Sequence, residues 1–118
     1  MPASIDRAHW EAFCDTFAKE HHGFESRIEI LGKAFGDQEM AAWLPFSGLS
    51  YDPHYGQCFI TVGGISSRYP AHLTHRIDQP RAIAVHKNPQ GQVESVLIVS
   101  EDQSETLLHL RRQPQLTA

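Results

Sequence analysis

Apolar positions along the chain recur with two different periods, and the change falls at Gly23. Before it, Trp10, Phe13, Cys14, Phe17 and Ala18 keep the i, i+3, i+4, i+7, i+8 spacing that puts side chains on one stripe of an α-helix. Asp6 stands where an N-cap would, and Ile5 and Trp10 are spaced to close a hydrophobic staple around it. Gly23, after His21-His22, has the place of a C-terminal glycine, so the spacing predicts a helix over about 6–22.

Beyond Gly23 the period falls to two. Phe24, Ser26, Ile28 and Ile30 alternate with Glu25, Arg27 and Glu29, the pattern of a half-buried strand over 24–32. Gly32 to Asp37 is turn-like, and Met40, Ala42, Leu44 and Phe46 resume the alternation over 38–47, with Pro45 implying a bulge or an edge. Ser47 to Gly56 carries Gly48, Asp52, Pro53 and Gly56 and reads as a loop that exposes Tyr51, His54 and Tyr55. Further strands are predicted at 57–63, 72–77, 81–87, 92–100 and 105–112, with Ile65 to Ala71 a loop and Gln113 to Ala118 a frayed tail. Asn88-Pro89-Gln90-Gly91 and Glu101 to Ser104 are hairpin-length turns, so the last three strands read as an antiparallel meander.

These elements make one α+β domain over 1–118: an N-terminal amphipathic helix packed on a mostly antiparallel sheet of about six to seven strands. One helix cannot cover both faces of so many strands. The sheet therefore curls strongly around it, half-barrel-like, or leaves a face for water or a partner. The strand from Val93 to Ser100 is partly apolar on both faces and is the best candidate for a central position.

Composition narrows the classes. At 118 residues, with 41% apolar and 20% charged residues, the chain can bury one core without a disulfide or metal staple. Ten Lys and Arg against fourteen Asp and Glu give a formal charge of −4, and Arg111-Arg112 is the one adjacent basic pair, which argues against a nucleic-acid partner. No apolar run approaches a membrane span, no basic-then-apolar leader opens the sequence, and Cys14 and Cys58 form no C-x-x-C; a cytoplasmic setting with free thiols is expected.

Three stretches together resemble an uncharacterised bacterial family known as domain of unknown function 5335: Trp10-Glu11-Ala12-Phe13 through Phe17 with His22-Gly23-Phe24; Ile28-Glu29-Ile30-Leu31-Gly32 with Leu44-Pro45-Phe46-Ser47-Gly48; and His72-Leu73-Thr74-His75 with Ile77, Pro80, Thr106-Leu107-Leu108 and Leu110-Arg111. The similarity runs from about residue 5 to 112. It implies a bacterial origin and a free-standing domain whose chain continues a little past Arg112, and it brings no activity, substrate or catalytic residue.

Candidate chemistry rests on few residues. His72-Leu73-Thr74-His75 has an H-x-x-H spacing, yet on a strand residues three apart point to opposite faces, so the pair does not form a metal site. His75 falls on the apolar side with Leu73 and Ile77, either as a packed ring or as the lining of a pocket between sheet and helix, with Arg76 or Arg111 near its mouth. His86 and His109 converge with the His72 strand only under a suitable register, which would make a zinc site or a proton-sensing cluster, a third reading of the sequence. His21 and His22 suit a helix C-terminus, and Cys14 and Cys58 read as inert core thiols. Gly63-Gly64 with Ser66-Ser67-Arg68 is a weak anion-nest candidate beside the more ordinary reading as a turn, and Tyr51, His54 and Tyr55 have the composition of a contact surface. No residue set calls for a cofactor, a metal or a catalytic constellation. The leading expectation is a non-catalytic binding or self-association module using an exposed sheet face or edge, with a homo-oligomer or protein partner; the alternative is a small-ligand protein or enzyme with a His/Arg-lined pocket between helix and sheet.

Overall fold

The structure, a computed structural model, describes residues 3–32, 36–64 and 72–112; within these, nothing is stated of the side chains of 3, 36–42 and 72. A two-residue strand β1 (Ala3–Ser4) and a 3-10 turn (Arg7–His9) lead into α1 (Trp10–His21). Then follow β2 (Glu25–Gly32), β3 (Gly36–Asp52), β4 (Gln57–Gly63), β5 (His72–Asp78), β6 (Pro80–Lys87), β7 (Val93–Ser100) and β8 (Glu105–Arg111). The fold is α+β: one helix packed on an open sheet in the order β1-β6-β7-β8-β2-β3-β4-β5, antiparallel at every pairing.

The entry to the helix departs from the sequence reading. Asp6 makes no side-chain cap; its carbonyl takes the His9 N–H at 2.8 Å, closing the 3-10 turn. The Ile5–Trp10 staple becomes a hydrogen bond, Trp10 Nε1–H donating to the Ile5 carbonyl at 2.9 Å. Ile5 N–H in turn donates to the Ile83 carbonyl at 2.8 Å, so the helix start is tied to β6 through β1. At the far end Gly23 has φ 91°, and its N–H reaches the Phe46 carbonyl at 2.8 Å while Phe46 N–H returns to the Phe24 carbonyl at 2.7 Å. The turn out of α1 is thus bound to the strand on which the helix lies.

The largest correction concerns residues 47–52. They continue β3 rather than forming a loop, and only Pro53 to Gly56 turn. The cause is a bulge. Phe46 pairs with Val62 and Gly48 with Thr61, so one extra residue shifts the inward phase from Leu44 and Phe46 to Leu49 and Tyr51. A strict period of two ends there although the strand does not. Pro45 sits where β3 passes from pairing with β2 to pairing with β4, a place that tolerates the missing N–H. A second bulge sets Ala42 and Trp43 opposite Arg27, and Trp43 takes φ 53°, in the left-handed region.

The sheet curls. His75 of β5 comes within 3.5 Å of Thr106 Oγ1 of β8, although β4, β3 and β2 separate these strands in the order. Inside the curl lies the core, with Ile28, Phe46, Ile60, Val62, Val96, Ile98 and Leu108 all fully buried. α1 closes one side by laying Trp10, Cys14 and Phe17 on it: Trp10 meets the Tyr51 ring edge-on at 5.2 Å, and Phe17 meets Phe46 at 5.6 Å. The sheet edges are protected. β1 is too short to recruit a strand, and β5 carries exposed Thr74, Arg76 and Asp78.

Candidate functional site

A cleft of about 690 Å³ opens between the C-terminal half of α1 and the end of the sheet formed by β6, β7 and β8. α1 leans on β3, so Phe13, Thr16, Glu20 and His21 border that end rather than sealing it, while Phe17 stays in the core with one edge on the cleft. Phe24, Val85, Val93 and Leu110 supply the apolar part of the opposite wall, and Lys87, Asn88, Gln92, Arg111 and Arg112 ring the mouth. The volume falls within the range of sites that enclose a small molecule.

Local structure orients the polar groups. His21 lies between two rings, stacked on Phe17 at 4.2 Å and edge-on to Phe24 at 5.1 Å. Its Nδ1 is 3.0 Å from the Phe17 carbonyl, which requires Nδ1 to carry the proton and leaves Nε2 for another partner. The register of β6 against β7 slips between His86↔Ser95 and Lys87↔Val93, making Glu94 the extra residue. Glu94 then meets His86 at 3.4 Å, while Lys87 lines the cleft.

Arg111 lies on the outer face of the sheet. Its Nε donates to Glu25 at 3.2 Å, and its guanidinium covers the Trp43 ring at 3.7 Å from the centroid. Arg27 approaches the same ring at 5.9 Å, and His109 Nε2 is 2.9 Å from Glu29. Trp43 is therefore held in a left-handed backbone conformation that costs about 1–3 kcal/mol for such a residue, with the Arg111 stack as the visible compensation.

The six residues singled out from the sequence fall in five places. Arg111 reaches the rim of the cleft. His75 does not line it; it points into the curl toward Thr106. Arg76 is exposed on the edge strand and pairs with Asp78 at 3.2 Å. Tyr51 is half-buried against Trp10, which corrects its placement on an exposed loop: the continued strand turns it inward. His54 and Tyr55 do stand on the exposed turn, their rings edge-on at 4.6 Å, with Asp52 accepting the His54 N–H at 2.9 Å. The Gly63-Gly64 nest depends on 65–70 and the His72 pairing on its side chain, both outside the described residues. His86 and His109 share the outer face two strands apart, and His75 is on the inner one, so the three imidazoles do not converge.

Desolvation holds the His75 imidazole below its ordinary pKa. An unfolded His protonates near pH 6.5, whereas the folded ring takes its proton only at lower pH. The contribution to stability is therefore constant above about pH 6.5 and is lost as the pH falls from there toward the folded value. His75→Gln should lose less stability than the parent between about pH 7.5 and pH 5 in urea unfolding; an equal or greater loss counts against this assignment. Cys14 and Cys58 are fully buried and in contact across the helix–sheet boundary. The hydrogen bond with Cys58 and burial push the Cys14 thiol far above the usual range, the opposite of what a nucleophile needs.

Phe13, Phe24, Val93, Lys87 and Arg112 escaped the sequence reading. Phe13 carried a signal in the helical stripe, but its place at the margin facing the cleft depends on how α1 leans. Among the described residues no three His, Cys, Asp or Glu side chains could hold a metal ion, and no helix is long and apolar enough to cross a membrane. The chain is 25% identical over 108 residues to an uncharacterized protein of the bacterium Aquifex aeolicus (strain VF5), an alignment covering 92% of this chain and 90% of that protein. No solved structure matches it. A family model matches residues 1–118, and the chain belongs to the family of unknown function DUF5335.

Proposed function

We propose that this chain is a small non-catalytic binding module whose ligand lies in the cleft between α1 and the β6–β7–β8 end of the sheet. The observation that carries the reading is the lining: half-buried Phe13, Phe24 and Val93 all border the cleft at the margin of the core. A ligand entering there displaces water from apolar walls and keeps its polar end at the mouth. Among the described residues the cleft holds one imidazole, His21, and no thiol or second imidazole beside it, while His75 faces Thr106 and both cysteines are buried beneath the helix, which favours binding over turnover. Two buried thiols in contact suit a reducing cytoplasm, where we place the protein.

The test uses the neutral fluorophore N-phenyl-1-naphthylamine. Its emission should rise saturably with the parent protein, and Val93→Glu, which puts a charge into the apolar wall, should abolish the rise while circular dichroism stays unchanged. Emission that is unaffected by Val93→Glu in a folded protein removes the cleft as the site.

A second reading is favoured by the outer face of the sheet, where Leu97 lies beside Ala84 and Leu107, and Val99 beside Ala82, all half-buried. A second copy covering this row would make a homo-oligomer. Leu97→Glu should then lower the mass seen in sedimentation, and a monomeric parent protein at micromolar concentration sinks the idea.

A further inference from the structure

Resting on the cleft as the binding site, we infer that its ligand is a single-chain aliphatic monocarboxylate, held with its chain against Phe13, Phe24 and Val93 and its carboxylate between Lys87 and Arg112. The argument begins with where the charges go. Five charged side chains line the cleft: Glu20, Lys87, Glu94, Arg111 and Arg112. Two are engaged by partners on the outer face. The bulge at Glu94 brings its carboxylate to His86, and Arg111 is committed to Glu25 and stacked on Trp43. Lys87 and Arg112 remain on the sheet side, and Glu20 remains on the helix wall opposite.

Lys87 ends β6 and Arg112 follows the end of β8, with Val93 opening β7 between them. Strands neighbouring at about 4.8 Å place the backbones of these two residues roughly 10 Å apart on either side of β7, with the apolar Val93 between them. A carboxylate between Lys87 and Arg112 can pair with both while its chain lies against the apolar wall. The helix wall disfavours an anion, since Glu20 and the C-terminal end of α1 are both negative, so the charged end is assigned to the sheet side. A bulky or dianionic head would meet Glu20 across the mouth. His21 adds a polar atom at depth, its Nε2 left over after Nδ1 is engaged by the Phe17 carbonyl.

Displacement of N-phenyl-1-naphthylamine separates this inference from the reading it depends on. Three ligands sharing one chain are compared below their micelle-forming concentrations: laurate, 1-dodecanol and dodecyltrimethylammonium. Laurate should displace the fluorophore at least about tenfold more effectively than the cation, as opposite charges at one mouth require. Lys87→Glu and Arg112→Glu, both at exposed positions, should each weaken laurate about fivefold, the upper end for one exposed ion pair, and leave dodecanol within about twofold. Equal displacement by all three ligands overturns the carboxylate assignment while the cleft stands. Laurate binding that survives both charge reversals, or binding to phosphatidylglycerol vesicles without binding to monomeric laurate, overturns it too. Failure of the fluorophore itself to bind the parent protein removes the reading underneath.

Discussion

Phe46→Ala is expected to destabilise the protein by about 3–5 kcal/mol, the cost of removing a fully buried aromatic ring and leaving its cavity. Phe46 joins three parts of the molecule. Its ring packs against Phe17 of α1, its N–H and carbonyl bind the Phe24 and Gly23 backbone, and it is the last residue of β3 before the bulge that changes the strand's inward phase. Total stabilities of about 5–15 kcal/mol make such a loss a large fraction of the whole. Urea unfolding should show the midpoint falling with the slope unchanged, because the surface exposed on unfolding stays similar. Phe46→Leu, which keeps most of the volume, should cost clearly less. A loss below about 1 kcal/mol for the alanine variant would mean that α1 does not rest on this ring.

The fold was legible wherever one period ran uninterrupted. The stripe from Trp10 to Phe17 and the alternations at 57–63, 93–100 and 105–111 each correspond to an observed element. Sequence reasoning failed where the backbone inserts a residue. The bulge beyond Phe46 breaks the alternation just where Ser47, Gly48 and Ser50 supply turn-like composition, so the sequence reads as a loop where the strand continues, and Tyr51 lies against Trp10 instead of in solvent. β1 was invisible for another reason: two residues contain no period, and its existence depends on an edge of β6 that lies about eighty residues away.

The candidate site was legible only in part. A pocket between helix and sheet, with His75 in it and Arg76 or Arg111 near its mouth, is the alternative reading of the sequence; of these three residues Arg111 alone lines the cleft beside α1. Which imidazole would accompany it depends on register. His75 was placed on the apolar face of β5, and it is there, but β5 curls toward β8 and faces Thr106, across the core from the cleft. Lys87 gives no signal in one dimension and Arg112 only as half of the pair Arg111-Arg112, because their place comes from β6 and β8 ending on either side of β7.

The second large effect is expected at the start of the helix. Trp10 is almost fully buried, its ring edge-on to Tyr51, its Nε1–H bound to the Ile5 carbonyl, and the Arg7 guanidinium 4.6 Å above its face. Trp10→Ala should cost about 3–5 kcal/mol by the same cavity argument. Trp10→Phe keeps the aromatic contact and loses the donor, which leaves the Ile5 carbonyl without that partner and should cost about 1–3 kcal/mol. The two variants should differ in where the damage falls. Trp10→Phe releases the segment joining β1 to α1, so amide exchange should quicken at Ile5, whose N–H holds the Ile83 carbonyl, while β3 and β4 keep their protection. Trp10→Ala opens the helix–sheet boundary around Tyr51 and Cys14 and should speed exchange throughout α1 as well. If Trp10→Phe proves as costly as Trp10→Ala, the hydrogen bond to Ile5 rather than ring burial holds the helix in place, and the edge strand matters more to this fold than its two residues suggest.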